Sequence, residues 1–138
     1  MTVTSPHTFL QPDDWVPAKG YANGVLAEGR IVYTGGLVGW NAAQEWEHKD
    51  LLGQFRQTLQ NIVAVLAEAG AGPEHLVRLT WYITDKAEYN SSLKEIGAIY
   101  REVIGRHFPA MAVVQVVGLM EDAAKIEIEA TAVLPAGA

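Results

Sequence analysis

Side chains that catalyse reactions as a nucleophile or through a bound metal are scarce in this sequence. It has no cysteine, three serines and four histidines, which are Ser5, Ser91, Ser92, His7, His48, His75 and His107. None of the serines falls in a sharp turn between a strand and a helix, where a catalytic serine is exposed. The histidines lack the spacing of metal ligands, such as two histidines four residues apart on a helix. We therefore expect neither a serine hydrolase nor a metallohydrolase, and we expect no metal and no cofactor.

The balance of charge limits the classes of partner. The sequence has 10 Lys and Arg residues against 16 Asp and Glu residues, a net charge of −6. Because no short stretch gathers several Lys and Arg residues, we expect no nucleic-acid partner. No apolar run approaches the length of about 18 residues that spans a bilayer, and the first residues do not resemble a secretion signal. We expect no membrane partner and a cytoplasmic location, which the absence of cysteine suits.

Two strands and a long helix are predicted for the first half of the chain. Residues 24–27 and 30–38 are rich in β-branched and aromatic side chains and are separated by Glu28 and Gly29. This pattern predicts an antiparallel hairpin with a tight turn at Glu28 and Gly29. Between residues 50 and 69 the apolar residues recur at three- and four-residue steps, and Gly70 follows as a stop signal. That periodicity predicts an amphipathic helix.

A strand, a helix and two further strands are predicted for the second half. The alternation over residues 76–84 predicts a half-buried strand whose buried face carries Val77, Leu79, Trp81 and Ile83. A helix is predicted over residues 86–104, and the side chains that it should bury are Tyr89, Leu93, Ile96, Tyr100, Val103 and Ile104. Residues 110–119 and 125–133 follow as strands joined by a charged turn at Glu121 and Asp122. The order ββαβαββ predicts an α+β fold with two helices on one face of a sheet, in a single domain of residues 1–138.

The other face of this predicted sheet bears on assembly. In residues 110–119 both alternating sets of side chains are apolar, and a strand of that kind is usually buried on both faces. Two helices cover only one face of the sheet. We therefore expect other copies of the chain to cover the second face in a closed homo-oligomer. The alternative is a monomer in which the second face of the sheet stays exposed and is somewhat prone to association.

A series of motifs along nearly the whole chain resembles the RidA/YjgF family. The motifs are GYANGV, YTGG, LAEAGAG, LTWYITD, FPAMAVVQV and KIEIEATAV, and the best-matched pieces are AGAGPEHLVRLT and KIEIEATAV. The resemblance implies a chorismate-mutase-like fold and a homotrimer whose three sheets line a central barrel. It also implies ligand clefts at the subunit interfaces. In typical members these clefts hydrolyse reactive enamines and imines that pyridoxal-phosphate enzymes release.

The resemblance implies a set of pocket residues. Tyr21 matches the tyrosine of the family's early glycine-aromatic motif, and Thr34, Gly35 and Gly36 match the turn that supplies backbone donors. Glu127 matches the glutamate that assists the hydrolytic water. An imine carbon is already electrophilic, so its hydrolysis needs only a held substrate, a placed water and a group that handles protons. The alternative for Glu127 is a solvated or interfacial carboxylate, and the alternative for Tyr21 is an aromatic ring packed under the hairpin.

The sequence departs from the family pattern where the pocket should carry a positive charge. The family's Pro-Ala-Arg tripeptide ends in Met111 here, and the position two residues further on, often cysteine, is Val113. The family's pocket asparagine falls on Gly97. A thioether cannot replace a bidentate guanidinium, so we expect weak binding of small imino acids. Met111 and Val113 instead suit a larger or less charged ligand.

Other side chains could compensate for the missing arginine. The candidate cations are Arg30, Arg78, Arg106 and Lys125, and the sequence does not say which of them faces the cleft. Trp40, in the loop after the YTGG turn, could add a stacking surface, and its alternative is a packing lid.

These features leave two functions open. The first is binding and hydrolysis of a small, reactive enamine- or imine-type metabolite in a cleft between subunits, with Glu127 handling water. The second is a trimer that binds a small ligand without turnover, which the missing arginine favours. A third function, endoribonuclease or translation inhibitor, is a label attached to relatives, and the acidic charge balance argues against it.

Overall fold

The computed structural model describes residues 5–137, which form a mixed α and β structure with helices packed against a sheet. The helices are α1 (Leu51–Glu68), α2 (Lys86–Ser91) and α3 (Leu93–Val103), with a short 3-10 helix at Pro73–His75. The strands are β1 (Thr8–Leu10), β2 (Gly24–Leu26), β3 (Arg30–Tyr33), β4 (Leu37–Val38), β5 (Leu76–Ile83), β6 (Ala110–Gln115) and β7 (Ile126–Leu134). The predicted α+β class is confirmed.

The main sheet has five strands, and β7 is its organising strand. β7 pairs antiparallel with β3, β4 and β5, and β5 pairs parallel with β6, which gives the order β3-β7-β5-β6. β1 and β2 form a separate two-stranded sheet. The alternation predicted for β7 is confirmed, since Ile126, Ile128 and Ala130 are buried while Glu127 and Glu129 point to the other face.

One hydrophobic core joins α1 and α3 to the inward face of the sheet. Asp50 caps α1, because its side chain accepts a hydrogen bond from the Gly53 N–H at 3.1 Å. The predicted apolar stripe of α1 is buried, including Phe55, Leu59 and Ile62. Burial contributes roughly 1.5 to 3 kcal/mol for each side chain of this size. Both helices therefore cover the same face of the sheet, and the opposite face has no helical cover in the described part of the chain.

The predicted hairpin over residues 24–38 is wrong. β2 pairs with β1, whereas β3 and β4 pair with β7. Gly29, with φ +146°, lies against the end of β7, where an added Cβ would come within 2.7 Å of the Leu134 carbonyl carbon. Only glycine fits that conformation and that approach. The signal at Glu28 and Gly29 therefore marks a passage from one sheet to the other.

The predicted helix over residues 86–104 is two helices that meet at Ser92. The hydroxyls of Ser91 and Ser92 donate to the Glu88 carbonyl at 3.0 and 2.8 Å, and such local bonds compete with a regular helix. Leu93, predicted to be buried, is 52% exposed beside this break. The residues buried as predicted are Ile96, Tyr100 and Ile104, and Tyr89 and Val103 are half-buried.

Two strands also differ from the prediction in detail. A register shift between Leu76 and Arg78 turns Leu76 into the core, so Val77 is only half-buried. β6 ends at Gln115, short of the predicted residue 119, and β5 separates it from β7. Val114 of β6 is 43% exposed on the face without helices. The second apolar set predicted for this strand thus has no cover within the described chain.

Candidate active site

The carboxylate of Glu127 lies over Gly36 on the face of the sheet that has no helices. Val38 of β4 is the register partner of Glu127, and an added Cβ at Gly36 would come within 2.8 Å of the Glu127 carboxyl carbon. The side chain at position 36 must therefore be small for the carboxylate to keep this position. Glu127 is half-buried, so part of the residue is open to water or to a ligand.

Thr34 fixes the turn that separates β3 from β4. Its N–H donates to the Ala130 carbonyl at 2.9 Å, and its Oγ1 accepts from the Ala130 N–H at 2.9 Å. The same hydroxyl donates to the Gly35 carbonyl at 2.7 Å. The predicted strand over residues 30–38 is interrupted here, and the interruption exposes Gly35 beside the Glu127 carboxylate at Gly36. Thr34, Gly35, Gly36 and Glu127 are therefore brought together.

A second carboxylate on this face is already engaged. The Tyr82 hydroxyl donates to Glu129 Oε1 at 2.9 Å. This hydrogen bond, with the negative charges of Glu129 and Glu127, raises the pKa of Tyr82. Beside it a depression of about 190 Å³ is lined by residues that include Thr34, Arg78 and Glu129. Glu129 is thus engaged by Tyr82, and it is the natural comparison for Glu127 on the same strand and face.

Met111 and Val113 face the helices, on the other side of the sheet. In the parallel pairing of β5 with β6, Met111 is the partner of Leu79 and Val113 is the partner of Trp81, and both partners are buried in the core. In the antiparallel pairing of β5 with β7, Glu127 is the partner of Tyr82. Leu79 and Tyr82 are three residues apart on one strand, so their side chains lie on opposite faces.

Met111 lines a cavity of about 370 Å³ between α3 and the edge of the sheet, which we call the α3 pocket. Its aromatic wall consists of Trp81, Tyr89, Tyr100 and Phe108, and its other lining residues are Lys19, Gly20, Leu93, Ile96, Gly97 and Arg101. The rings of Tyr100 and Phe108 are stacked, with centroids 5.4 Å apart. Burial raises the pKa of Tyr100, whose hydroxyl donates to the His107 carbonyl. Most of this wall is therefore fixed by ring packing.

Tyr21 lies in a neighbouring cavity of about 240 Å³ and is 45% exposed. This cavity shares Gly20 and Phe108 with the α3 pocket. The Ala22 N–H donates to the Pro109 carbonyl at 3.0 Å, which ties the segment to the start of β6. Tyr21 is not packed under a hairpin, because that hairpin does not form. It lies on the same side of the molecule as the α3 pocket.

The candidate site residues therefore form two separate sets within one chain. We call Thr34, Gly35, Gly36 and Glu127 the sheet-face set. The residues of the α3 pocket, together with Tyr21 and Val113, are the helix-side set. Within one chain the sheet separates the two sets. The expected ligand cleft lies between subunits, and it stays a prediction. Sequence reasoning named the residues but could not place them on faces, since the face of β6 depends on its register with β5.

The candidate replacement cations differ in their surroundings. Lys125 pairs with Glu88 at 3.0 Å, and Arg78 lies on the face without helices. Arg106 lines the cavity of Tyr21, and Arg30 begins β3, at the far edge of the sheet from β6. None of these four residues lines the α3 pocket. The ring of Trp40 packs against Trp46 at 5.7 Å, as expected for a packing lid.

Lys19 and Arg101, which sequence reasoning missed, are the basic residues that line the α3 pocket. The available signal was the four-residue spacing between Gly97 and Arg101, which places them on one face of a helix. Among residues 5–137 no group of three or more His, Cys, Asp or Glu side chains could hold a metal ion. Within that range, no helix is both long and apolar enough to cross a membrane.

Comparisons with known proteins agree with this fold. The family model described as Endoribonuclease L-PSP matches residues 12–134. A Rid-family protein of Yersinia pestis, YyfB, superposes with a TM-score of 0.80 at 34% identity, covering 93% of this chain and 98% of that one. The 2-iminobutanoate/2-iminopropanoate deaminase of Escherichia coli is 32% identical over 108 residues, 76% of this chain and 80% of the relative. A RutC family protein of Haemophilus influenzae is 31% identical over 105 residues, with 76% and 80% covered. The chain belongs to the RidA/YjgF family.

Proposed function

We propose that this protein hydrolyses a small enamine- or imine-type metabolite and that Glu127 positions and deprotonates the attacking water. The observation that carries the proposal is the half-buried Glu127 carboxylate, held beside the exposed Gly35 and over Gly36. Relatives named imine or enamine deaminases support a deaminase role at the level of the family.

Imine hydrolysis requires the protein mainly to position the substrate and the attacking water. Water adds to the carbon of the protonated imine while Glu127 accepts one of its protons, which gives a neutral carbinolamine. Glu127 then returns this proton to the nitrogen. The carbon–nitrogen bond breaks as the hydroxyl loses its proton to solvent, which leaves a carbonyl product and free ammonia. Thr34 orients the turn, and the backbone N–H groups of Gly35 and Gly36 would hold the substrate beside the carboxylate. Positioning of this kind contributes a large part of the rate of a reaction whose carbon is already electrophilic.

We propose that the complete cleft forms between two subunits of a homotrimer. The sheet-face set of one chain would meet the helix-side set of its neighbour, with Tyr21, Met111 and Val113 as ligand contacts. Support comes from the sheet that separates the sets within one chain and from the exposed Val114 on its uncovered face. In this arrangement the chain acts as one domain in the cytoplasm.

A non-catalytic role is the second candidate, and Met111 favours it. An arginine at this position would bind a substrate carboxylate in two places, whereas a thioether offers only an apolar contact. A ligand that is held but not turned over would fit this pocket equally well. The endoribonuclease label carries less weight, because a net charge of −6 offers no general attraction for RNA phosphates.

Turnover can be tested with imines that are generated enzymatically in the assay mixture. An amino-acid oxidase converts leucine or phenylalanine into the 2-imino acid, and semicarbazide trapping measures how long that imino acid survives. We expect the protein to shorten its lifetime and Glu127→Gln to remove the effect. Glu129→Gln is the matched control, since it removes a carboxylate from the same strand and face and should keep most of the activity.

The two candidate functions give different results in this assay. Acceleration that depends on Glu127 and not on Glu129 supports hydrolysis. If no imino acid in the series is consumed faster than in buffer, while a ligand still binds, the hydrolase proposal is wrong and the non-catalytic role replaces it.

A further inference from the structure

The α3 pocket contains two basic side chains that have no acidic partner in the described part of the chain. Lys19 comes from the loop before Tyr21, and Arg101 comes from the last turn of α3. Two other cations are paired, since Arg56 bonds to Glu102 and Lys125 bonds to Glu88. Lys19 and Arg101 take part in no salt bridge within residues 5–137. Two charges that no neighbouring side chain compensates thus border one cavity.

Gly97 allows the guanidinium of Arg101 to lie against α3. An added Cβ at Gly97 would be 3.2 Å from Arg101 Nη1 and 3.9 Å from its central carbon, Cζ. The absence of a side chain one turn earlier therefore leaves room for the guanidinium on the pocket side of the helix. Gly97 and Met111 are two of the three positions where this chain departs from the family pattern, and both border the same cavity as Arg101.

We propose that Arg101 and Lys19 form the anion-binding part of the α3 pocket, and that its ligand is a carboxylate with a bulky aromatic or branched apolar group. This proposal rests on the proposed function, because it names the class of substrate for that site. The positive charge lies on the helix and the preceding loop, and not on β6. The carboxylate would bind at this rim, with the apolar group against Met111 and the aromatic wall.

The dimensions and composition of the pocket favour this class of ligand. Its volume of about 370 Å³ falls in the range of small-molecule sites and exceeds what a carboxylate of three or four carbons would fill. Trp81, Tyr100 and Phe108 offer flat apolar surface, with the centroids of Trp81 and Tyr100 6.3 Å apart. A bulky group would bury this surface, while arginine and lysine would compensate a single negative charge.

The test measures binding without turnover. Isothermal titration compares 3-phenylpropanoate with 3-phenylpropanamide, which has the same ring but no charge, and with propanoate, which has the charge but no ring. We expect 3-phenylpropanoate to bind at least about tenfold more tightly than either of the others. Equal binding of the amide would overturn the role of the charge, and equal binding of propanoate would overturn the role of the aromatic wall.

Variants assign the charge to residues. Arg101→Met should weaken 3-phenylpropanoate binding about tenfold, Arg101→Lys should restore part of the loss, and Lys19→Met should weaken it further in combination. Lys94→Met is the matched control, because it removes a positive charge from the exposed side of α3 without touching the pocket. Unchanged affinity in the Arg101→Met, Lys19→Met double variant would contradict the proposal.

The same measurements separate this proposal from the proposed function. If 3-phenylpropanoate binds through Arg101 but no imine is hydrolysed, the hydrolase proposal fails alone. If imines are hydrolysed through Glu127 while 3-phenylpropanoate does not bind the unmodified protein, the anion-binding proposal fails alone.

Discussion

Met111 and Glu127 lie on opposite faces of one sheet, so a single chain does not present them to the same ligand. The parallel register of β5 with β6 places Met111 beside buried Leu79, and the antiparallel register of β5 with β7 places Glu127 beside Tyr82. A site that uses both residues must therefore draw them from two copies of the chain.

The first prediction concerns assembly. We expect a trimer in solution, and Val114→Glu should dissociate it, because a carboxylate on the uncovered face of β6 would have to be buried between subunits. Light scattering at micromolar concentration measures the mass. Val65→Glu is the control, since Val65 is 38% exposed on α1, away from that face. A monomeric mass for the unmodified protein would contradict the prediction.

The second prediction concerns the contact between Gly36 and the carboxylate of Glu127. Gly36→Ala should lower the rate of imine hydrolysis, because its Cβ would displace a carboxylate whose carbon lies 2.8 Å away. Gly35→Ala should have a much smaller effect, since nothing lies within 4 Å of its added Cβ. Neither glycine has a positive φ, so both variants should fold. Equal rates for the two variants would show that the position of Glu127 is unimportant.

The third prediction concerns the Thr34 turn. Thr34→Val keeps the shape of the side chain but leaves the Ala130 N–H without the acceptor that it now meets at 2.9 Å. We expect a loss of about 1 to 2 kcal/mol in the free energy of unfolding, measured by urea denaturation. Thr34→Ser retains the hydroxyl and should lose less. If Thr34→Val and Thr34→Ser lower the free energy of unfolding equally, the hydroxyl does not stabilise this turn.

The fourth prediction concerns pH. Burial lowers the pKa of His107, whose Nε2 donates to the Leu76 carbonyl at 2.8 Å. Its Nδ1 is buried and has no hydrogen-bond partner among residues 5–137. The unfolded chain therefore binds a proton more readily than the folded protein. The free energy of unfolding should fall as the pH drops below about 6.5 and level off below the folded pKa.

His107→Gln provides the comparison for this effect. Glutamine can still donate to the Leu76 carbonyl but does not titrate, so its stability should depend less on pH than that of the unmodified protein. Urea denaturation of both proteins between about pH 5 and pH 8 measures the difference, and contributions from all other groups cancel in it. If the free energy of unfolding depends on pH in the same way in both proteins, the His107 ring is not the source of the pH dependence.

Local patterns in the sequence predicted the elements whose periodicity is self-contained. The apolar stripe of α1 and the alternation of β7 are confirmed because each element meets the core with one face. Glu28 and Gly29 misled the prediction, since a tight turn and a passage between sheets need the same backbone freedom. The strand that pairs with β3 is about a hundred residues away in the sequence, at residues 131–134.

The family motifs named candidate site residues but not their geometry. Glu127, Thr34 and Met111 stay predicted site residues, and the structure places Met111 on the opposite face of the sheet from Glu127. Which face a side chain takes depends on strand register, and the register of β6 is set by its long-range pairing with β5. Arg101 was missed because its importance depends on the bare helix surface at Gly97.

Mixed oligomers test the central claim, that the two sets of site residues act together across a subunit boundary. Glu127→Gln disables the sheet-face set. Gly97→Glu disables the helix-side set, because it places a carboxylate in the α3 pocket. This glutamate lies four residues before Arg101, a spacing at which an acidic and a basic side chain stabilise a helix, so the variant should fold. Each variant alone should be inactive toward imines and should remain a folded oligomer.

The decisive measurement is the imine-hydrolysis rate of oligomers formed when the two variants are expressed together. If each site takes Glu127 from one subunit and the α3 pocket from its neighbour, random mixing restores both intact sets at about a quarter of the sites, and activity returns to that level. If mixed oligomers form but stay as inactive as the separate variants, the two sets do not form a shared site, and the account is wrong.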